Sequence, residues 1–183
     1  MRLFTAIDLS DEVRANIEDL QHKLKPAARI QWSPASNLHI TTKFIGEWKE
    51  ARLDELKAAL TRIPPAGSID IEVSQLGWFP NLHSPRVFCV GVRAPPALRD
   101  LANSIDDAVA ELGVPAERKV FSPHMTLARI RTPQPLGPLR YAVADLESQE
   151  FGSFAAARYH LYLSEQSTGG SRYSKLADFS LIP

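Results

Sequence analysis

A single cysteine in 183 residues excludes an internal disulfide. Cys89 lies in the apolar run Arg86-Val87-Phe88-Cys89-Val90-Gly91-Val92, which suits a buried thiol in a reducing compartment better than a nucleophile. Excess charge is missing too. Lys and Arg total 21, as do Asp and Glu, so no overall field draws the chain to nucleic acid or membrane. No apolar stretch is long enough to span a bilayer, and the opening Met1-Arg2-Leu3-Phe4-Thr5-Ala6-Ile7-Asp8 is too short for a signal peptide. The expectation is a cytoplasmic protein without a membrane partner. Metal-binding patterns are lacking as well: there is no His-Glu-x-x-His, no Cys cluster and no close carboxylate set, so neither metal nor cofactor is expected.

What remains is ordinary globular material, 44% hydrophobic and 23% charged, enough for one domain or two small intimate lobes. A monomer is the default expectation. One local imbalance stands out. Between Pro115 and Arg140, the bases Arg118, Lys119, Arg129, Arg131 and Arg140 face one acid, Glu117, a local charge of +4. That is a solvated basic face or a track for an RNA backbone.

The chain is organised around a stretch and its echo. Asn37-Leu38-His39-Ile40-Thr41-Thr42-Lys43-Phe44 is followed, 85 residues later, by Ser122-Pro123-His124-Met125-Thr126-Leu127-Ala128-Arg129. Each places a His two residues before a Thr in a strand-like run. Alternation then puts His and Thr on one face, roughly 7 Å apart. The other histidines, His22, His83 and His160, have Leu24, Pro85 and Tyr162 at that offset. They read as a solvated helix residue, an exposed loop residue and a strand-surface residue. Spacing alone would leave His39 and His124 as structural histidines on half-buried strands. The matching contexts, a turn before and a basic residue after (Lys43, Arg129), strengthen the pair.

Around these motifs the chain alternates strands and helices. Arg2–Asp8 reads as a strand, and Ser10 caps a helix with Val13, Ile17, Leu20 and Leu24 on one stripe, stopped by Pro26. A short strand at 29–32 and the first motif strand at 38–45, closed by Gly46, follow. A helix at 49–62 ends at Pro64-Pro65. Strands at 69–78 and 86–92 pair across a loop, and a third helix, opened by Pro95-Pro96 and closed by Gly113, carries Leu98, Leu101, Ile105, Ala108 and Leu112. After a short stretch at 119–121 comes the second motif strand at 124–130, then a proline-rich loop and a short helix at 140–146. Strands at 151–154, 158–164 and 173–181 close the chain, the last two joined by a turn at Thr168-Gly169-Gly170. This pattern predicts an α+β fold, bilobal and duplicated, with two mainly antiparallel sheets flanking a central cleft and helices outside. Residues 1–183 are expected to form a single domain of two pseudo-symmetric lobes.

Two histidines facing one cleft suit phosphodiester hydrolysis. One takes a proton from water and the other gives one to the leaving oxygen, and a pKa near 6.5 makes both states accessible. Thr41 and Thr126 can grip the non-bridging oxygens, where charge builds up. Trp78-Phe79 lies on the loop after a middle strand. Trp78 reads as core at least as readily as platform, whereas Phe79 is the better candidate to stack a base.

The residues also resemble a family. Leu38-His39-Ile40-Thr41-Thr42-Lys43-Phe44-Ile45-Gly46 and Pro123-His124-Met125-Thr126-Leu127-Ala128-Arg129 look like the paired His-x-Thr/Ser signatures of the 2H phosphoesterases. Within that superfamily the chain is most similar to the RNA 2′,3′-cyclic phosphodiesterases, or 2′-5′ RNA ligases. Trp32, Pro85-Arg86-Val87-Phe88, Leu161-Tyr162-Leu163-Ser164 and Tyr173-Ser174-Lys175-Leu176-Ala177 extend the likeness nearly end to end. Thr42 departs from it, standing where an apolar residue is usual. The resemblance implies metal-independent hydrolysis of RNA 2′,3′-cyclic phosphate ends to 2′-phosphomonoesters, and 2′-5′ ligation in reverse. It implies His39 as proton donor and His124 as proton acceptor, with RNA ends (tRNA fragments among them) or small cyclic nucleotides as substrates. Arg129 resembles a phosphate-side arginine, yet strict alternation from His124 turns it to the other face. Either the strand ends or bulges before it, or Arg129 is structural. Lys43 shares parity with His39 and is expected on the substrate. Two alternatives are a nucleotide-binding module without turnover and an enzyme for small cyclic phosphates such as ADP-ribose 1″,2″-cyclic phosphate.

Overall fold

A computed structural model describes residues 1–168 and 170–183; Gly169, in the expected final turn, lies outside the described residues. Nine strands and four helices run in the order β1 Arg2–Asp8, α1 Asp11–Leu24, β2 Gln31–Trp32, β3 His39–Glu47, α2 Leu53–Thr61, β4 Ile69–Phe79, β5 Val87–Arg93, α3 Pro96–Ala110, β6 His124–Arg129, α4 Gly137–Ala144, β7 Glu150–Ala156, β8 Arg158–Ser167 and β9 Gly170–Ser180, counted among the described residues. The expected strands and helices form, with ends moved by a few residues. The stretch at 119–121 is not a strand, and a single 3₁₀ turn at Glu50–Arg52 precedes α2.

Local chemistry explains the ends. Ser10 accepts from Val13 N–H at 3.2 Å, with Asp11 and Glu12 in the first turn of α1. Past α3, Gly113 takes φ +93°, a left-handed position that a helix terminus favours for glycine. The buried stripe of α3 is Leu98, Leu101, Ala102, Ile105 and Val109. Of the expected stripe, Ala108 is only half-buried, and Leu112, just past the end of α3, packs partly buried against the core.

The sheets are antiparallel throughout, ordered β3-β1-β8-β9 and β2-β6-β5-β4-β7. With the short β2 and with β7 and β9 set aside, the chain reads twice as strand, helix, strand, helix, strand: β1-α1-β3-α2-β4, then β5-α3-β6-α4-β8. The halves do not fold side by side. The first gives β1 and β3 to one sheet and β2 and β4 to the other. The second gives β5, β6 and β7 to the latter and β8 and β9 to the former, so β8 pairs with β1 and β4 pairs with β5. Helices cross over likewise: α1 packs against β7 and α4, and α3 packs against β3 and α2. The sheets meet along β3 and β6, which touch. Between sheets and outer helices lies one continuous apolar core that includes Ile17, Ile40, Phe88, Ile105 and Met125. Among the described residues no helix is long and apolar enough to cross a membrane.

Candidate active site

Both motif strands carry a bulge at the same place. Opposite β1, the pairing steps from Ala6↔Thr41 to Thr5↔Lys43; opposite β5 it steps from Cys89↔Thr126 to Phe88↔Ala128. Thr42 and Leu127 are the skipped residues. An extra residue shifts the alternation by one, so both strands begin with the same burial sequence: half-buried His, buried, half-buried Thr, two buried, one exposed. The first motif therefore places His39, Thr41 and Phe44 towards the groove between the sheets, and the second places His124, Thr126 and Arg129 there.

This settles the two basic residues in opposite senses. Arg129 returns to the face of His124 and is exposed. Its charge acts across the groove on His39. The expectation for Lys43 is corrected: it is 7% exposed, pairs with Asp106 on α3 and donates to the Pro115 carbonyl at 3.0 Å. Its position in the bulge turns it to the helix side, and its charge is used there. Asp106 responds. Burial raises its pKa, but bonds from Lys43 and the Glu117 N–H outweigh that and hold it below the ordinary carboxylate value.

The two histidines are held in one way. His39 Nδ1 lies 2.7 Å from the Asn37 carbonyl and His124 Nδ1 lies 2.9 Å from the Ser122 carbonyl, each two residues upstream. A carbonyl only accepts, so each Nδ1 carries hydrogen and each Nε2 is left for other partners. Asn37 is itself anchored, donating to the Ser171 carbonyl at 2.6 Å. Thr42, the departure from the family pattern, bonds Thr5 hydroxyl to hydroxyl at 2.7 Å on the core side. Among the described residues Thr41 and Thr126 have no such protein partner.

The surroundings differ. His39 sits among rings: Phe4 at 4.8 Å, Tyr173 at 5.2 Å edge-on and Tyr162 at 6.2 Å. Burial lowers its pKa. The Asn37 carbonyl and the Asp8 charge push it up, whereas Arg129 and Arg14 push it down, and the balance stays below 6.5. His124 is half-buried, and among the described residues the one ring beside it is Phe79, at 5.0 Å between ring centres. Phe79 is 39% exposed on the groove side, while Trp78 turns to the other face and packs on Phe88 at 4.6 Å.

Several residues escaped the sequence reading. Behind the His39 rings, Asp8 accepts from Tyr162 Oη at 2.5 Å and from Lys175 Nζ at 2.9 Å. His160, expected on a strand surface, is 3% exposed with Nδ1 2.6 Å from Asp178 and Nε2 3.4 Å from Asp8. Burial opposes the Asp8 charge, but Tyr162, Lys175 and His160 together hold its pKa below the ordinary value. These residues come from β1, β8 and β9, and only cross-strand pairing brings them together. Cys89 is buried as expected, its thiol pushed up to about 11.

Two His-x-Thr strands bulged alike and facing one groove define a 2H phosphoesterase. The LigT-like phosphoesterase family matches the chain twice, at residues 7–89 and 90–173, one motif in each match. The chain belongs to this family. It is 30% identical to a Methanothermobacter thermautotrophicus RNA 2′,3′-cyclic phosphodiesterase over 99% of both chains. It is 35% identical to the Thermus thermophilus protein of that name, over 99% of this chain and 90% of the other. Among solved structures, E. coli LigT superposes with a TM-score of 0.81 at 29% identity, covering 100% of this chain and 98% of that one. The same protein has been crystallised with 3′-AMP, with a TM-score of 0.79.

Proposed function

We propose that this protein hydrolyses RNA 2′,3′-cyclic phosphate ends to 2′-phosphomonoesters by paired histidine acid–base catalysis. The observation that carries this is the matched anchoring of His39 and His124 through Nδ1, one from each sheet, which leaves both Nε2 atoms for the groove. Water attacks phosphorus in line with O3′. His124 Nε2 takes its proton, and His39 Nε2 delivers one to departing O3′. Each transfer is worth roughly 10²–10⁴-fold. Thr41 and Thr126 donate to the non-bridging oxygens, and Arg129 balances the charge that develops on them. Phe79 is the platform for a base, beside the water-activating histidine.

The low pKa of His39 fits a donor once substrate is present. A phosphodiester anion beside the ring opposes the effect of burial and returns the proton that the empty site holds weakly. The same pair run backwards joins a cyclic end to a 5′-hydroxyl as a 2′-5′ linkage, and excess water favours hydrolysis.

The test is hydrolysis of a cyclic-ended oligoribonucleotide in EDTA, with the position of the product phosphate read out. Wild type should yield a 2′-phosphate, and His39→Ala and His124→Ala should each lose at least about 10²-fold. Binding without turnover would leave a nucleotide-binding module. Turnover of ADP-ribose 1″,2″-cyclic phosphate alone would name a small-molecule enzyme.

A further inference from the structure

Beyond the groove, the loop joining β4 to β5 and the segment joining β6 to α4 enclose a pocket of about 350 Å³. Arg86, Arg131, Arg140 and His83 line it together with Thr132 and Gln134, and no acidic residue does. None of the three arginines forms an ion pair among the described residues. Arg140 is partly committed, donating to the Leu82 carbonyl at 2.5 Å and lying over the Trp78 ring. Arg86 and Arg131 are exposed, and among the described residues neither guanidinium has a partner. Three guanidiniums kept together without a counter-charge repel one another, and an anion relieves that repulsion with bidentate hydrogen bonds.

Two backbone links tie the lining of the pocket to the strands of the catalytic site. The carbonyl of Phe79, whose ring packs on His124, accepts the Arg86 N–H at 2.6 Å, and the Arg86 carbonyl accepts the Ile130 N–H at 2.9 Å. Arg129 faces the groove, and Arg131 lies two residues on. From Thr126 to Arg131 the chain advances roughly 15 Å, too far for one nucleotide and within reach of a short strand.

We propose that this pocket binds phosphates of the RNA strand upstream of its cyclic end, so that Arg86 and Arg131 select oligomers over mononucleotides. This rests on the phosphodiesterase reading and specifies its substrate class.

The experiment compares a cyclic mononucleotide with a cyclic-ended oligoribonucleotide on wild type, Arg86→Gln, Arg131→Gln and the double variant across a salt series. Anisotropy binding of the same oligomer with an uncyclised end runs alongside. The expected result is a loss of oligomer kcat/KM of about ten-fold per guanidinium, with mononucleotide turnover unchanged. The salt slope of oligomer binding should also fall by about 0.7 for each phosphate that is no longer neutralised. Equal losses on both substrates, or no loss on the oligomer, would overturn the assignment. So would oligomer binding untouched by the substitutions while inorganic pyrophosphate binding depends on them, which would mark a free-anion site. If wild type hydrolyses nothing, the phosphodiesterase reading fails, and the anisotropy arm still decides the pocket.

Discussion

At the scale of single residues, the two histidines share an anchor and differ in their surroundings. His39 lies in a ring-lined recess whose nearest charges pull it in opposite directions, Asp8 up and Arg129 down. Removing either charge should move the His39 pKa predictably. Asp8→Asn should lower it further and Arg129→Gln should raise it, both readable by imidazole NMR titration. Under the proposed mechanism, Arg129→Gln should nonetheless lose about 10²-fold in kcat/KM, because that mechanism sets its charge against the phosphate. A loss of activity that followed the His39 pKa alone would make Arg129 a tuning residue. The donor role has a further sign. Because burial holds the His39 pKa below its ordinary value, the empty site keeps its proton weakly. Inorganic phosphate should therefore bind with proton uptake, seen by calorimetry in buffers of different ionisation enthalpy and absent in His39→Gln.

At the scale of elements, the bulges decide what each strand presents. Alternation from a histidine is readable in sequence, and it correctly puts Thr41 and Thr126 on the side of His39 and His124. A bulge is a property of a strand pair. Nothing in Thr42-Lys43 or Leu127-Ala128 announces that two residues will oppose one across β1 or β5, so alternation alone leaves Arg129 undecided and puts Lys43 on the wrong face. The cluster around His160 is hidden for a related reason, since Asp8, Lys175 and Asp178 reach it only through the pairing of β8 with its two neighbours. Local signals are legible: the Ser10 cap, the proline stops, Gly113 and the apolar stripes. The corrected role of Lys43 predicts that Lys43→Met strands Asp106, lowering stability by about 3 kcal/mol in urea while leaving KM unchanged. A raised KM with normal stability would restore Lys43 to the substrate.

For the whole molecule, several groups give stability the same dependence on pH. Asp8 and Asp106 have folded-state values below 3.8, so their contribution is present at neutrality and lost as pH falls through those values. His39 is held below 6.5. Its neutral form stabilises fully above 6.5, and that contribution declines as pH drops towards the folded-state value. Urea midpoints followed downward from pH 7 should fall in two stages, and His39→Gln should remove the first. A flat profile down to the carboxylate range would contradict the burial of His39.

The exchange of strands between halves has a consequence for synthesis. Phe4 and Tyr162, paired across β1 and β8, are 158 residues apart, so the inner edge of β1 stays open while the ribosome adds nearly everything else. An open apolar strand edge is a template for pairing with other chains, and contacts this distant form slowly. The nascent chain is therefore most exposed to aggregation late in translation, when β1 and β3 have emerged but β8, the other neighbour of β1, has not. A gene cut between β4 and β5 would part β3 and β1 from β8 and β9, and β2 and β4 from β5, β6 and β7, so the two fragments could complete those sheets only in each other's company.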